Sequence, residues 1–270
     1  MDRAIGVIDS GVGGLTVAHE LMRQLPKERL IYLGDTLRCP YGPRPESEVR
    51  AYTEEMVAFL LQKKIKMLVI ACNTATAFTL NQLQERLDIP VIGVIQPGAR
   101  AAIKTTVNGH IGVIGTEGTV RSEAYPNALK RIKDELDVTA LACPLFVPLV
   151  EKGILTGPEA EEVVNCSLEP IKADRRIDTL ILGCTHYPLL KDTIQKSVGC
   201  GVSIISSGEE TARETSTILD VHGLLYKGER TPMHSFYTTG DLEMFTDISN
   251  TIFNSSVNHL QSVTIEHAVI

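Results

Sequence analysis

The sequence predicts an α/β protein built from two similar domains with mainly parallel sheets. Three observations carry that prediction. Short apolar runs alternate with amphipathic stretches, the pattern of buried parallel strands covered by helices on both faces. Ile5-Gly6-Val7-Ile8-Asp9-Ser10 matches Ile111-Gly112-Val113-Ile114-Gly115-Thr116, and Met67-Leu68-Val69-Ile70-Ala71-Cys72 parallels Thr179-Leu180-Ile181-Leu182-Gly183-Cys184. The two offsets, 106 and 112 residues, fit one duplication with small insertions.

The elements follow in order. Residues 4–8 form a first strand, and Leu15, Ala18, Met22 and Leu25 then recur at helical spacing until Pro26 closes the helix. A second strand at 30–33 leads into a Pro/Gly-rich loop at 36–45. A helix over 46–63, a strand at 67–71, a helix around 78–87 and a strand at 91–95 complete the first run. Strands at 111–114, 138–142, 179–182 and 203–205 follow, with helical stretches between them. The tail adds a helix from near Glu209, the run 235–238, a helix over about 241–253 and a terminal strand candidate. The second unit begins after Val94, and the material beyond Ser207 has no counterpart within it. The expected division is therefore 1–94 plus 208–270 for a discontinuous first domain, with 95–207 inserted as the second.

Composition narrows the function. The 270 residues are 43% apolar with a net charge of -7, which argues against a basic nucleic-acid surface. Tryptophan is absent and aromatics are only 5%, which disfavours stacking on single strands. The N-terminus lacks the shape of a signal peptide and no run is long enough for a membrane span, so a cytoplasmic location is expected. None of the six cysteines forms a C-x-x-C pair, so free thiols are expected, with neither a structural metal nor a disulfide framework.

Ligands of open α/β sheets gather outside the carboxyl ends of strands. Asp9-Ser10, Asp35, Cys72-Asn73-Thr74, Thr116 and Cys184-Thr185-His186 all directly follow predicted strands. If the two halves face each other, Cys72 and Cys184 approach one cleft from opposite sides. Inverting a stereocentre needs such a pair: one group removes a proton, and the other returns one to the opposite face. A free thiol titrates too high to be a thiolate unaided. Asp9 is placed to hydrogen-bond the Cys72 thiol, His186 to assist Cys184, and Glu151 is a further candidate beside the second thiol. The amides of the Gly11-Val12-Gly13-Gly14 turn, with Ser10, Asn73, Thr74 and Thr185, supply donors suited to carboxylates.

Asp9-Ser10-Gly11-Val12-Gly13-Gly14-Leu15, Pro40-Tyr41-Gly42, Ala71-Cys72-Asn73-Thr74-Ala75-Thr76 and Gly183-Cys184-Thr185-His186-Tyr187-Pro188 together resemble the motif set of the bacterial glutamate racemases. The resemblance reaches to about Thr211-Ala212-Arg213-Glu214 and departs at no motif position. It implies two pseudo-symmetric α/β domains with the active site at the domain interface, and racemisation of glutamate by two catalytic cysteines, without pyridoxal phosphate, another cofactor or a metal. Cys72 would deprotonate D-glutamate and Cys184 L-glutamate. Asp9, Ser10, Tyr41, Gly42, Asn73, Thr74, Thr185 and His186 would contact substrate, Asp9 and His186 also assisting proton transfer. Thr116 and Thr119 would be additional ligands. The family's role is to supply D-glutamate for peptidoglycan in a walled bacterium, and a homodimer is expected for such an enzyme.

Rival readings stand beside this one. Cysteine is often simply buried, and Cys39, Cys143, Cys166 and Cys200, which lack a matched partner, read as structural. His186 could cap a following helix, Asp9 could cap the helix beyond the glycines, Tyr41 could be a turn residue, and Glu151 a surface carboxylate. The glycine turn followed by Asp35 suggests a dinucleotide site, but Thr16 stands where the last glycine of G-x-G-x-x-G belongs. Two further functions compete: a racemase of another acidic amino acid such as aspartate, and a non-catalytic module that closes around a small acid.

Overall fold

In the computed structural model, residues 2–229, 231–253 and 257–265 are described. Met1 and residues 266–270, the two ends of the discontinuous domain expected from the sequence, lie outside them. The first half runs β1 (Ile5–Asp9), α1 (Leu15–Gln24), β2 (Leu30–Gly34), α2 (Glu46–Gln62), β3 (Met67–Ile70), α3 (Asn73–Arg86) and β4 (Val91–Gly93), and α4 (Ile95–Thr105) opens the second. The second continues with β5 (His110–Gly115), α5 (Glu117–Arg121), α6 (Ala124–Ile132), β6 (Asp137–Ala142), α7 (Phe146–Glu151), α8 (Pro158–Ser167), α9 (Glu169–Ala173), β7 (Thr179–Gly183), a 3-10 turn at Tyr187–Leu190, α10 (Lys191–Val198) and β8 (Ser203–Ser206). The chain closes with α11 (Ser207–Val221), β9 (Ser235–Thr238), α12 (Leu242–Phe253) and β10 (Leu260–Ser262).

Two parallel sheets result, one ordered β10-β9-β2-β1-β3-β4 and the other β6-β5-β7-β8. The internal repeat of the sequence is a repeat of pairing. β1 lies between β2 and β3 as β5 lies between β6 and β7, and the registers agree: Ile8 faces Ile70, and Ile114 faces Leu182. β1, β2, β3 and β7 are buried at every residue, which is why they read as unbroken apolar runs instead of alternating ones. Cores lie on both faces of each sheet; on the first, Val7 and Val69 join one cluster and Ile8 and Ile70 the other.

Two helix starts differ from the sequence expectation. α3 begins at Asn73, about five residues before the expected start, because its first turn, Asn-Thr-Ala-Thr, carries no apolar periodicity. α4 begins at Ile95, where the sequence pattern extended the preceding strand.

A buried ion pair anchors the chain that returns from α11 towards β9. Lys66 Nζ lies 2.6 Å from Glu28 Oε2, with 1% and 3% of their side chains exposed. Lys66 also donates to the Leu224 carbonyl at 2.7 Å, and the Tyr226 amide donates to Glu28 at 2.7 Å. Lys66→Met leaves a buried carboxylate without its counter-charge. It should lower unfolding free energy by about 3–5 kcal/mol in urea melts; a loss within experimental error would show that the pair contributes little.

Candidate active site

The carboxyl ends of β1, β3, β5 and β7 deliver Ser10, Cys72, Thr116 and Cys184 to one pocket between the two sheets. Its walls are Ser10, Cys39, Pro40, Tyr41, Gly42, Cys72, Asn73, Thr74, Thr116, Val147, Cys184, Thr185 and His186. Both cysteines expected to carry chemistry therefore line one cavity, each contributed by a different sheet. Larger cavities exist, such as one of about 240 Å³ beside Met22, His234 and Phe253. That cavity contains no cysteine, so volume does not select the site. The thiol-lined pocket itself encloses only about 20 Å³, room for roughly a single water.

The two thiols have unlike surroundings. Cys72 caps α3, its sulfur accepting from the Ala75 amide at 3.4 Å. Burial pushes this thiol up to about 12 and the charge of Asp9 adds to the rise, against hydrogen bonds from the Ser10 hydroxyl and the Ala75 amide. The amides of Asn73 and Thr74 open α3 without intrahelical acceptors, which makes them donors for a carboxylate.

Cys184 Sγ lies 3.9 Å from His186 Nδ1. His186 makes no side-chain cap hydrogen bond to the 3-10 turn that follows, contrary to the simpler reading of it. Its Nε2 lies 3.5 Å from Glu151 Oε1. This is an ion-pair contact without hydrogen-bond geometry, since Nε2 has no hydrogen-bond partner among the described residues. Burial alone pushes the imidazole down, but contacts with Cys184 and Glu151 and the nearby charges outweigh it and hold His186 at about 10. Glu151 is lowered: burial raises it, yet His186 and Cys39 together outweigh that. Cys39 Sγ donates to the same Glu151 oxygen at 3.1 Å. This cysteine, read from the sequence as structural, thus lines the pocket and bridges the two halves. Its signal was its adjacency to Pro40-Tyr41. Cys39, Glu151 and His186 are a candidate cation cluster by proximity, but these contacts already account for their closeness.

Three expected site residues stand behind the walls. Asp9 is fully buried, and its carboxylate accepts from the Gly11 and Gly14 amides at 3.0 and 2.9 Å and from the Thr185 hydroxyl at 3.3 Å. The partners of Cys72 are instead Ser10 and Ala75. Burial raises Asp9 above the usual carboxylate range, although His186 and these donors oppose it. The Gly11 and Gly14 amides thus point inward to Asp9, where a nucleotide phosphate would need them to point outward. Thr119 is the second: its hydroxyl lies 3.0 Å from that of Thr116 and 3.2 Å from that of Thr74, whose own hydroxyls are 2.8 Å apart. Glu151, the third, reaches the site through His186 and Cys39.

Tyr41 is fixed within its own half, and Gly42 from the opposite one. The Tyr41 hydroxyl donates to Asp35, which also accepts from Thr239 Oγ1 at 2.7 Å. The Gly42 carbonyl accepts from the Gly118 amide of the opposite half at 2.8 Å. Val147 of α7 completes the wall, a residue the sequence did not single out.

Residues 5–215 match the family described as Asp/Glu/Hydantoin racemase. The chain is 66% identical over 270 residues to a glutamate racemase of Oceanobacillus iheyensis, covering all of this chain and 98% of that protein. Among solved structures, a glutamate racemase isoform from Bacillus anthracis superposes with a TM-score of 0.94 at 51% identity, covering 97% of this chain and 98% of that one. The glutamate racemase of Francisella tularensis in complex with D-glutamate gives 0.92 at 33% identity, over 99% of this chain and 100% of that one. With this match running through both sheets and every motif that lines the pocket, the chain belongs to the Asp/Glu/Hydantoin racemase family, among its glutamate racemases.

Proposed function

We propose that this chain interconverts L- and D-glutamate by two-base proton transfer between Cys72 and Cys184, without an added cofactor, supplying D-glutamate for peptidoglycan. The observation that carries the reading is the lining of one small pocket by two cysteines from equivalent strands of repeated sheets. One sulfur takes the α-proton as the other donates to the far face of the planar carbanion. The Ser10, Asn73, Thr74 and Thr185 donors hold the carboxylates and stabilise charge as it spreads into the α-carboxylate. Burial of both thiols keeps solvent from protonating the carbanion at random. The assignment of Cys72 to D-glutamate and Cys184 to L-glutamate comes from the family resemblance. The division into 1–94 plus 208–270 and 95–207 belongs to the same reading, supported by the sheet to which each strand belongs.

The test is racemisation of purified protein in deuterium oxide. Early in the reaction the inverted product should carry deuterium at the α-carbon while the remaining substrate keeps protium. Deuterium appearing equally in both pools would point to a single base, and no turnover of glutamate would end the reading. Aspartate, assayed alongside, separates the neighbouring specificity.

The His186–Glu151 contact has a pH consequence. An imidazolium held at about 10 is present at neutral pH and is lost as pH rises through that value. Cys184 and then Glu151 raise it most, and Glu151→Gln weakens the second of these contacts. The alkaline limb of the rate profile should then move to lower pH, by roughly 1–3 units. An unmoved limb in a folded variant would remove Glu151 from the proton-transfer apparatus.

A further inference from the structure

Asn73 carries a side-chain amide, and an amide has two unlike ends: the NH2 donates and the oxygen accepts. Only the donor end can hold a substrate carboxylate. Which end faces the pocket is therefore a question of function, and it has to be decided by what the other end touches. In this protein the other end touches Tyr125. Its hydroxyl donates to Asn73 Oδ1 at 2.8 Å across the gap between the two halves, and both residues are buried. Asn73 lines the pocket, and its Nδ2 is a buried donor without a partner among the described residues.

The surroundings of this contact are set one step further back. The Ser207 side chain, at the first residue of α11, adjoins the Tyr125 oxygen. Tyr125 sits on α6, and α4 packs against both α6 and α11 at the junction of the halves. The space around the hydroxyl is filled: a Cβ at Gly98 of α4 would lie 3.2 Å from Ser207 Cβ and 3.3 Å from Tyr125 Oη. The phenol has little freedom to swing away.

We propose that Tyr125, which does not line the substrate pocket, is a positioning residue for glutamate binding: its hydroxyl pins Asn73 so that the amide NH2 is presented to a substrate carboxylate. The Tyr125–Asn73 bond also links α6 of the second half to the residue that follows Cys72. This proposal rests on the reading of the pocket as a glutamate site.

Without the phenol oxygen, the orientation that suits substrate leaves Oδ1 buried and unpaired. The opposite orientation then competes, and apparent affinity falls by the fraction of protein still correctly set. Tyr125→Phe should raise KM for both enantiomers by roughly three- to tenfold, with a smaller change in kcat. The discriminating experiment is a cycle of four proteins: wild type, Tyr125→Phe, Asn73→Ala and the double variant. Each is assayed for racemisation and for D-glutamate binding by calorimetry, with thermal melts alongside. In the Asn73→Ala background the tyrosine substitution should leave KM and Kd unchanged, since there is no amide to orient. A penalty of the same size in both backgrounds, or an unchanged KM in Tyr125→Phe, overturns the proposal. If Tyr125→Phe does not accumulate folded, Ser207→Ala enters the cycle in its place with a smaller rise in KM that Asn73→Ala must again abolish. Failure of the wild type to turn over glutamate would instead refute the assignment of the pocket, a distinct result.

Discussion

Replacing either Cys72 or Cys184 by alanine should lower racemisation by at least roughly 10²–10⁴-fold, the contribution of a positioned acid or base. The two losses should also differ in kind. In Cys184→Ala the remaining sulfur can still reach the α-hydrogen of one enantiomer and return it to the same face. In deuterium oxide that enantiomer should slowly take up label without inverting. D-glutamate should label in Cys184→Ala and L-glutamate in Cys72→Ala, with the opposite enantiomer unlabelled in each case. Label enters only as fast as the thiol exchanges hydrogen with solvent, and burial of both thiols slows that. Nuclear magnetic resonance of the α-hydrogen in each enantiomer reads the outcome. Equal labelling of both enantiomers in either variant would contradict a division of labour between the sulfurs.

The second large effect is expected at Gly13, which touches neither sulfur. A Cβ built there would lie 2.5 Å from His186 Nδ1 and 2.6 Å from Thr185 Oγ1, both on the opposite half. His186 is buried and already committed to Cys184 and Glu151, so it cannot withdraw without leaving them. Gly13→Ala therefore holds the halves apart, and kcat/KM should fall about 100-fold, the scale of a misplacement near 1 Å. Because the clash is between halves and not within a core, the melting temperature should drop far less than for a cavity in either sheet. A variant with unimpaired kcat/KM would show that closure does not require this contact.

Much of the site was legible in the sequence because parallel strands deliver their carboxyl-terminal residues to one edge. Residues 4–8 and 67–71 advertised themselves as unbroken apolar runs, so Ser10 and Cys72 could be placed without coordinates. The repeat did the same for Cys184. What stayed hidden lay on elements with weak periodicity or depended on side-chain direction. The polar first turn of α3 concealed that Cys72 is a helix cap. Asp9 could be placed at its strand end, but not the turn by which its oxygens face Gly11, Gly14 and Thr185. Cys39 lies in an irregular loop, and no pattern of spacing announces that it meets Glu151, 112 residues away. Tyr125 is a single aromatic on a helix with an amphipathic pattern, and such residues read as core until their hydroxyl finds a partner.

The duplicated sheets end in dissimilar chemistry: a helix cap and a serine at one sulfur, an imidazole and a carboxylate at the other. Mirror-image amino acids have the same free energy in water, so thermodynamics obliges their equilibrium constant to be unity and kcat/KM to be equal in the two directions. The unequal halves therefore cannot favour one direction at low substrate. Their inequality is confined to saturation, where any difference in kcat between the two enantiomers must be matched by the same factor in KM.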